Sequence, residues 1–83
     1  MNSLVSLTEL IIKRLVIDSD SVSVKEFESD EDNTIQIEVM VNSEDMAKII
    51  GHEGRTINAV RTIVQAASFN QDNKLVKINV DSY

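Results

Sequence analysis

The chain contains two glycines, and both fall in one nine-residue stretch, Ile49-Ile50-Gly51-His52-Glu53-Gly54-Arg55-Thr56-Ile57. Apolar residues at helical spacing flank them on both sides, so the stretch reads as helix, tight turn, helix. Gly51 lets the backbone leave the first helix at positive φ, where a side chain is strained. Gly54 lets the backbone of another molecule come close to the start of the second helix. That helix end carries unpaired N–H groups and the positive end of the dipole, and it suits an anion such as a phosphate.

The rest of the chain divides around this turn. Residues 3–17 predict a helix, with Leu4, Leu7, Ile11 and Leu15 on one stripe and Leu10 and Ile12 broadening it. Ser3 is placed to cap it, and Glu9 to pair with Lys13. Asp18-Ser19-Asp20-Ser21 breaks the pattern. Residues 22–28 predict a first strand, 29–33 a polar hairpin connection, and 34–41 a second strand. In the second, Ile35, Ile37, Val39 and Val41 face a core while Gln36, Glu38 and Met40 face away. Ser43 is placed to cap a short helix whose buried side is Met46, Ile49 and Ile50, with Glu44 and Asp45 at its positive end. The next helix is expected from Arg55 to Phe69, with Ile57, Val60, Val64 and Ala67 on one stripe and Ile63 and Ala66 beside it. Asn70 to Asn73 stop it, and residues 74–80 form a last strand.

The element order is therefore α-β-β-α-α-β. The first two strands form an antiparallel hairpin. The two-helix crossover makes the second and third parallel neighbours in a right-handed connection. The expected fold is a single α+β domain over residues 1–83, a three-stranded mixed sheet with helices packed on one face.

Composition narrows the function. The 42% apolar content is enough for a core, and the longest apolar runs are too short for a membrane span. The start of the chain lacks the charged and apolar regions of a secretion signal, and a cytoplasmic protein is expected. There is no cysteine, and the single histidine has no evident co-ligands, so neither a metal nor any other cofactor is expected. No nucleophile–histidine–acid set and no Walker-type phosphate loop is present, so the chain is not expected to be an enzyme. The formal charge of −6 opposes nucleic-acid binding overall, but residues 1–42 account for all of it. Residues 43–70, around the glycines, are neutral.

Ile49-Ile50-Gly51-x-x-Gly54-x-x-Ile57 resembles the GXXG signature of the K-homology (KH) domain, a module that clamps about four nucleotides of single-stranded nucleic acid. The element order matches the type II, bacterial form. With Arg55-Thr56 and Ala59-Val60-Arg61-Thr62 following the glycines, the chain is similar over nearly its whole length to the KhpA family of small bacterial RNA-binding proteins. The resemblance implies single-stranded RNA binding by a non-enzymatic post-transcriptional regulator or RNA chaperone, linked in related bacteria to cell elongation and division. It implies pairing with itself or with a second KH protein of the KhpB (Jag) type. Carried over by position, Gly51, His52, Glu53 and Gly54 contact the RNA backbone, and Lys48 and Arg55 reach phosphates. Ile50 and Ile57 line the apolar side of the groove, and Arg61 is a further contact along the helix.

One position departs from that pattern. Relatives usually place at least one Lys or Arg in the variable pair of the turn, whereas this chain has His52-Glu53. A glutamate on a phosphate path costs affinity. Three readings stay open: weak, salt-sensitive RNA binding, a turn used for protein contact, or a partner that supplies the missing charge. The alternative function is a KH-fold interaction module, with dimerisation through the helices around the turn.

Overall fold

The computed structural model describes residues 3–71 and 73–83. Helix α1 (Ser3–Leu15) lies against the sheet through Leu4, Thr8 and Ile12, at four-residue steps and essentially without exposure. Leu7, Ile11 and Leu15 pack beside them. The buried Thr8 hydroxyl donates to Leu4 O at 2.8 Å, so its burial leaves no polar group unpaired. Leu10 does not broaden this face. It is 52% exposed, because it stands roughly 200° around the helix from Ile12. Ser3 is already helical rather than a cap before the helix, and its side chain lies outside the described residues. The Glu9–Lys13 pair forms at 3.0 Å on the solvent side.

Strand β1 (Ser23–Glu28) pairs antiparallel with β2 (Thr34–Val41), from Ser23 opposite Met40 to Glu28 opposite Ile35. Strand β3 (Leu75–Ser82) runs parallel to β2, from Thr34 beside Leu75 to Val41 beside Ser82, so the order is β1-β2-β3. β2 is central, and its inward Ile35, Ile37, Val39 and Val41 are all buried. Burial of side chains of this size is worth about 1.5–3 kcal/mol each. The opposite face carries polar ladders. Glu38 accepts from the amides of Gln36 and Asn79, and Lys77 pairs with Glu31 of the hairpin. That face is held by surface hydrogen bonds rather than covered by helices.

Parallel neighbours need a crossover, and α2 (Met46–Ile50) and α3 (Arg55–Gln71) supply it. α3 buries Ile57, Val60, Val64 and Ser68. Ile63, expected beside this stripe, is 49% exposed, and Ala66 is exposed with it. The fourth buried position is the polar Ser68, for a reason found in the tertiary structure. Its hydroxyl donates to Lys74 O at 2.7 Å, and its own carbonyl accepts from Asn73 N at 2.8 Å. Gln65 reaches the same connection: its amide donates to Lys74 O and its carbonyl accepts from Val76 N, both at 2.9 Å. α3 therefore sets where β3 begins. None of the described helices is long and apolar enough to cross a membrane.

Candidate nucleic-acid interface

α2 has only five residues, too few to hold a helix by its own hydrogen bonds. Its anchors are tertiary. Ile49 is fully buried and Met46 packs on the core. Asn42, not Ser43, caps the segment: its side-chain oxygen accepts from Glu44 N at 3.0 Å. Asp45 does not serve as an exposed charge at the helix start. It is 3% exposed, and its two carboxylate oxygens accept from Ile17 N at 3.2 Å and Asp18 N at 3.0 Å. The base of α2 is thus tied to the chain leaving α1. Asp18 extends the link by accepting from the Ser21 hydroxyl at 2.6 Å and the Asn42 amide at 3.2 Å. The Ser21 and Asn42 bonds hold the Asp18 carboxyl below the usual carboxylate range.

Gly51 closes α2, with its N–H donating to Ala47 O at 2.9 Å, and turns out at φ 75. Glu53 and Gly54 follow at φ 56 and φ 76, and Arg55 opens α3. Three of the four turn residues thus take left-handed conformations, two of them as glycines. The glycines meet different surroundings. A Cβ on Gly51 would fall 2.6 Å from Thr56 Cβ and 2.9 Å from Thr56 N, so Gly51 is also a packing requirement. A Cβ on Gly54 would meet only Asn58 Nδ2, at 3.8 Å. The space over Gly54 is open, beside the first N–H groups of a seventeen-residue helix.

The side chains of the turn face solvent, with His52 82%, Glu53 68% and Arg55 77% exposed. The Glu53 carboxylate lies 3.6 Å from His52 Nε2 and 3.7 Å from Arg55 Nη2, so it partly offsets the one full cation at the helix start. Lys48 is exposed on α2 and Ile50 is half-buried beside the turn. Ile57, expected on the groove wall, is 3% exposed and supports the wall from beneath. Arg61 is tied both to β3 and to Asn58, whose side chain stands nearest Gly54. Its Nη2 and Nε donate to Ile78 O at 3.0 and 3.4 Å, and Nη1 to Asn58 Oδ1 at 3.1 Å, which fastens α3 to β3. The structure thus presents Lys48, Ile50 and the residues from Gly51 to Arg55 at the turn, with the Arg61 guanidinium engaged by Ile78 O and Asn58. The packing of Thr56 against Gly51 and the clamp formed by Asp45, read from the sequence as a charge at the helix start, escaped the sequence reading. Thr56 stands in the motif itself, but nothing local marks Asp45. Among the described residues no cluster of histidine and acids has metal-site geometry.

The turn is thus open over Gly54 at the start of α3, and the chain resembles known proteins over most of its length. The family described as KhpA/KhpB, KH domain, matches residues 6–80. A protein named RNA-binding protein KhpA from Clostridium perfringens is 41% identical over 70 residues, covering 84% of this chain and 91% of the relative. Its namesake from Chlamydia caviae is 43% identical over 72 residues, covering 86% and 85%. These relatives carry the name of an RNA-binding protein, not of an enzyme. Among solved structures, Era from Aquifex aeolicus superposes with a TM-score of 0.68 at 17% identity, over 96% of this chain and 30% of Era. Era solved with a segment of 16S ribosomal RNA gives 0.66 at 18% identity, over 95% and 29%. The chain spans about a third of those Era chains, and the likeness concerns the fold. The order α-β-β-α-α-β, the mixed sheet and the two-glycine turn are those of a type II KH domain, and the chain belongs to the KhpA/KhpB KH-domain family.

Proposed function

We propose that this chain binds single-stranded RNA and acts without catalysis, as a cytoplasmic post-transcriptional regulator or RNA chaperone. The observation that carries the proposal is the open backbone at Gly54, beside the exposed start of α3. The RNA backbone lies across Gly51, His52, Glu53 and Gly54, with Lys48 and Arg55 taking phosphates. Ile50 meets the bases, Ile57 backs it from the core, and Arg61 holds α3 on the sheet. The names of the KhpA relatives and the RNA in one Era complex support the same ligand class.

The test is fluorescence anisotropy with short single-stranded RNA pools at low and moderate salt. Binding is expected, and log K should fall with log salt by about 0.7 for each phosphate neutralised. With Lys48 and Arg55 as the main phosphate ligands, the total slope should lie between about −1 and −2. A folded wild type that binds no RNA at low salt overturns the proposal.

We further propose that the chain pairs with itself or with a second KH protein of the KhpB type. Ile63, Ala66 and Phe69 follow at three-residue steps on the solvent side of α3, and Ile63 and Phe69 are each 49% exposed. Such apolar positions, left out of the core, suit a partner. Ile63→Asp should leave the fold intact and convert a dimer to a monomer in sedimentation equilibrium. A wild type that stays monomeric at high concentration rules out self-pairing.

A further inference from the structure

Glu53 is the turn residue for which phosphate binding has no use. Its backbone holds φ 56, a conformation that costs a residue with a Cβ about 1–2 kcal/mol. Its carboxylate stands at the tip of the turn, held between His52 Nε2 and Arg55 Nη2. A carboxylate only accepts hydrogen bonds. The backbone of DNA offers it acceptors alone, namely phosphate and sugar-ring oxygens. RNA adds one donor per nucleotide, the ribose 2′-hydroxyl.

Resting on the reading of the turn as a nucleic-acid site, we propose that Glu53 makes that site selective for RNA over single-stranded DNA. It does so by accepting a hydrogen bond from the 2′-hydroxyl of the nucleotide lying across the turn. Arg55 and the N–H groups at the start of α3 hold the adjacent phosphate. The 3.7 Å spacing between carboxylate and guanidinium lets one residue meet the sugar and the other the phosphate, and the guanidinium shields the phosphate from the carboxylate. On DNA the same carboxylate faces a sugar–phosphate backbone with nothing to donate, and it repels.

The experiment compares RNA, DNA and 2′-O-methyl RNA of one sequence, each binding to wild type, Glu53→Gln and Glu53→Ala at one salt concentration. Methylation removes the donor and keeps the oxygen and the RNA-like sugar. Wild type should prefer RNA to DNA by about fivefold, the worth of one exposed hydrogen bond, and should bind the methylated strand as it binds DNA. Glu53→Ala should gain affinity for DNA and bring the RNA-to-DNA ratio close to one. Wild type that binds 2′-O-methyl RNA as tightly as RNA overturns the proposal, and this arm needs no variant to fold. An RNA-to-DNA ratio unchanged in Glu53→Ala also overturns it, while leaving RNA binding at the turn intact. Wild type that binds none of the three strands overturns the functional reading, and this inference with it.

Discussion

Gly54→Asp is expected to weaken RNA binding at least about tenfold in a protein that still folds, whereas Gly51→Ala is expected to weaken the fold itself. Both glycines sit at positive φ, so both substitutions strain the backbone, by about 1–3 kcal/mol. They part company in their surroundings. At Gly54 the added Cβ meets only the end of the Asn58 side chain at 3.8 Å, and the new carboxylate projects into the path of the phosphates. A loss of at least about tenfold in affinity should accompany a loss of about 1–3 kcal/mol in stability. At Gly51 even a methyl group lies 2.6 Å from Thr56 Cβ and 2.9 Å from Thr56 N, inside van der Waals contact. The start of α3 must then shift, at an overpacking cost of about 1–3 kcal/mol beyond the backbone term. The total of roughly 3 kcal/mol should lower Tm by about 12–24 °C in a domain of this size. Thermal and urea denaturation of the two single variants decide the matter. Equal stabilities would mean that the turn yields around Thr56 and that the asymmetry between the glycines has no energetic weight. The result also bears on design: a Gly51/Gly54 double variant confounds folding with binding, and Gly54→Asp is the cleaner probe.

Asp45→Ala is expected to destabilise the protein by roughly 3 kcal/mol, although Asp45 lies outside the turn. Its carboxylate satisfies two backbone N–H groups, Ile17 N and Asp18 N, from a position that is 3% exposed. Hydrogen bonds to charged groups are each worth about 1.5–3 kcal/mol, and removing the acceptor leaves both donors without a partner. Asp45→Asn should fall between wild type and Asp45→Ala, because one oxygen remains while the new NH2 group faces a donor. The measurement is the urea midpoint, with an unchanged slope showing that the unfolded state is the same. A loss below about 1 kcal/mol would show that water replaces the carboxylate at Ile17 and Asp18.

The architecture was legible because it rests on periodicity. β2 alternates Ile35, Ile37, Val39 and Val41 with polar residues, and the strand forms over the predicted residues 34–41. α3 shows its stripe at Ile57, Val60 and Val64, and it starts at Arg55 as read. The limits of these elements were less legible. α1 stops at Leu15, and Ile17, read as helical, is 80% exposed. Hydropathy alone also overstated the apolar faces. Leu10 and Ile63 are large and apolar, yet each points away from the sheet, while Thr8 and Ser68 fill buried positions. A polar side chain can be buried wherever a carbonyl accepts its proton, and Leu4 O and Lys74 O serve that purpose.

The amino-acid sequence by itself determined the element order, the pairing of the strands and the place of the turn. Each follows from short-range rules: side-chain period, turn chemistry, and the freedom of glycine at positive φ. Tertiary structure alone decided how the turn is held and which charges face outward. Asp45 is bonded to residues 27 and 28 positions away. Arg61 spends two donors on a carbonyl 17 residues along the chain. A Cβ at Gly51 would collide with Thr56 only because the backbone has turned between them. Such contacts join residues with no common period, so they exist only after the sheet and helices have packed.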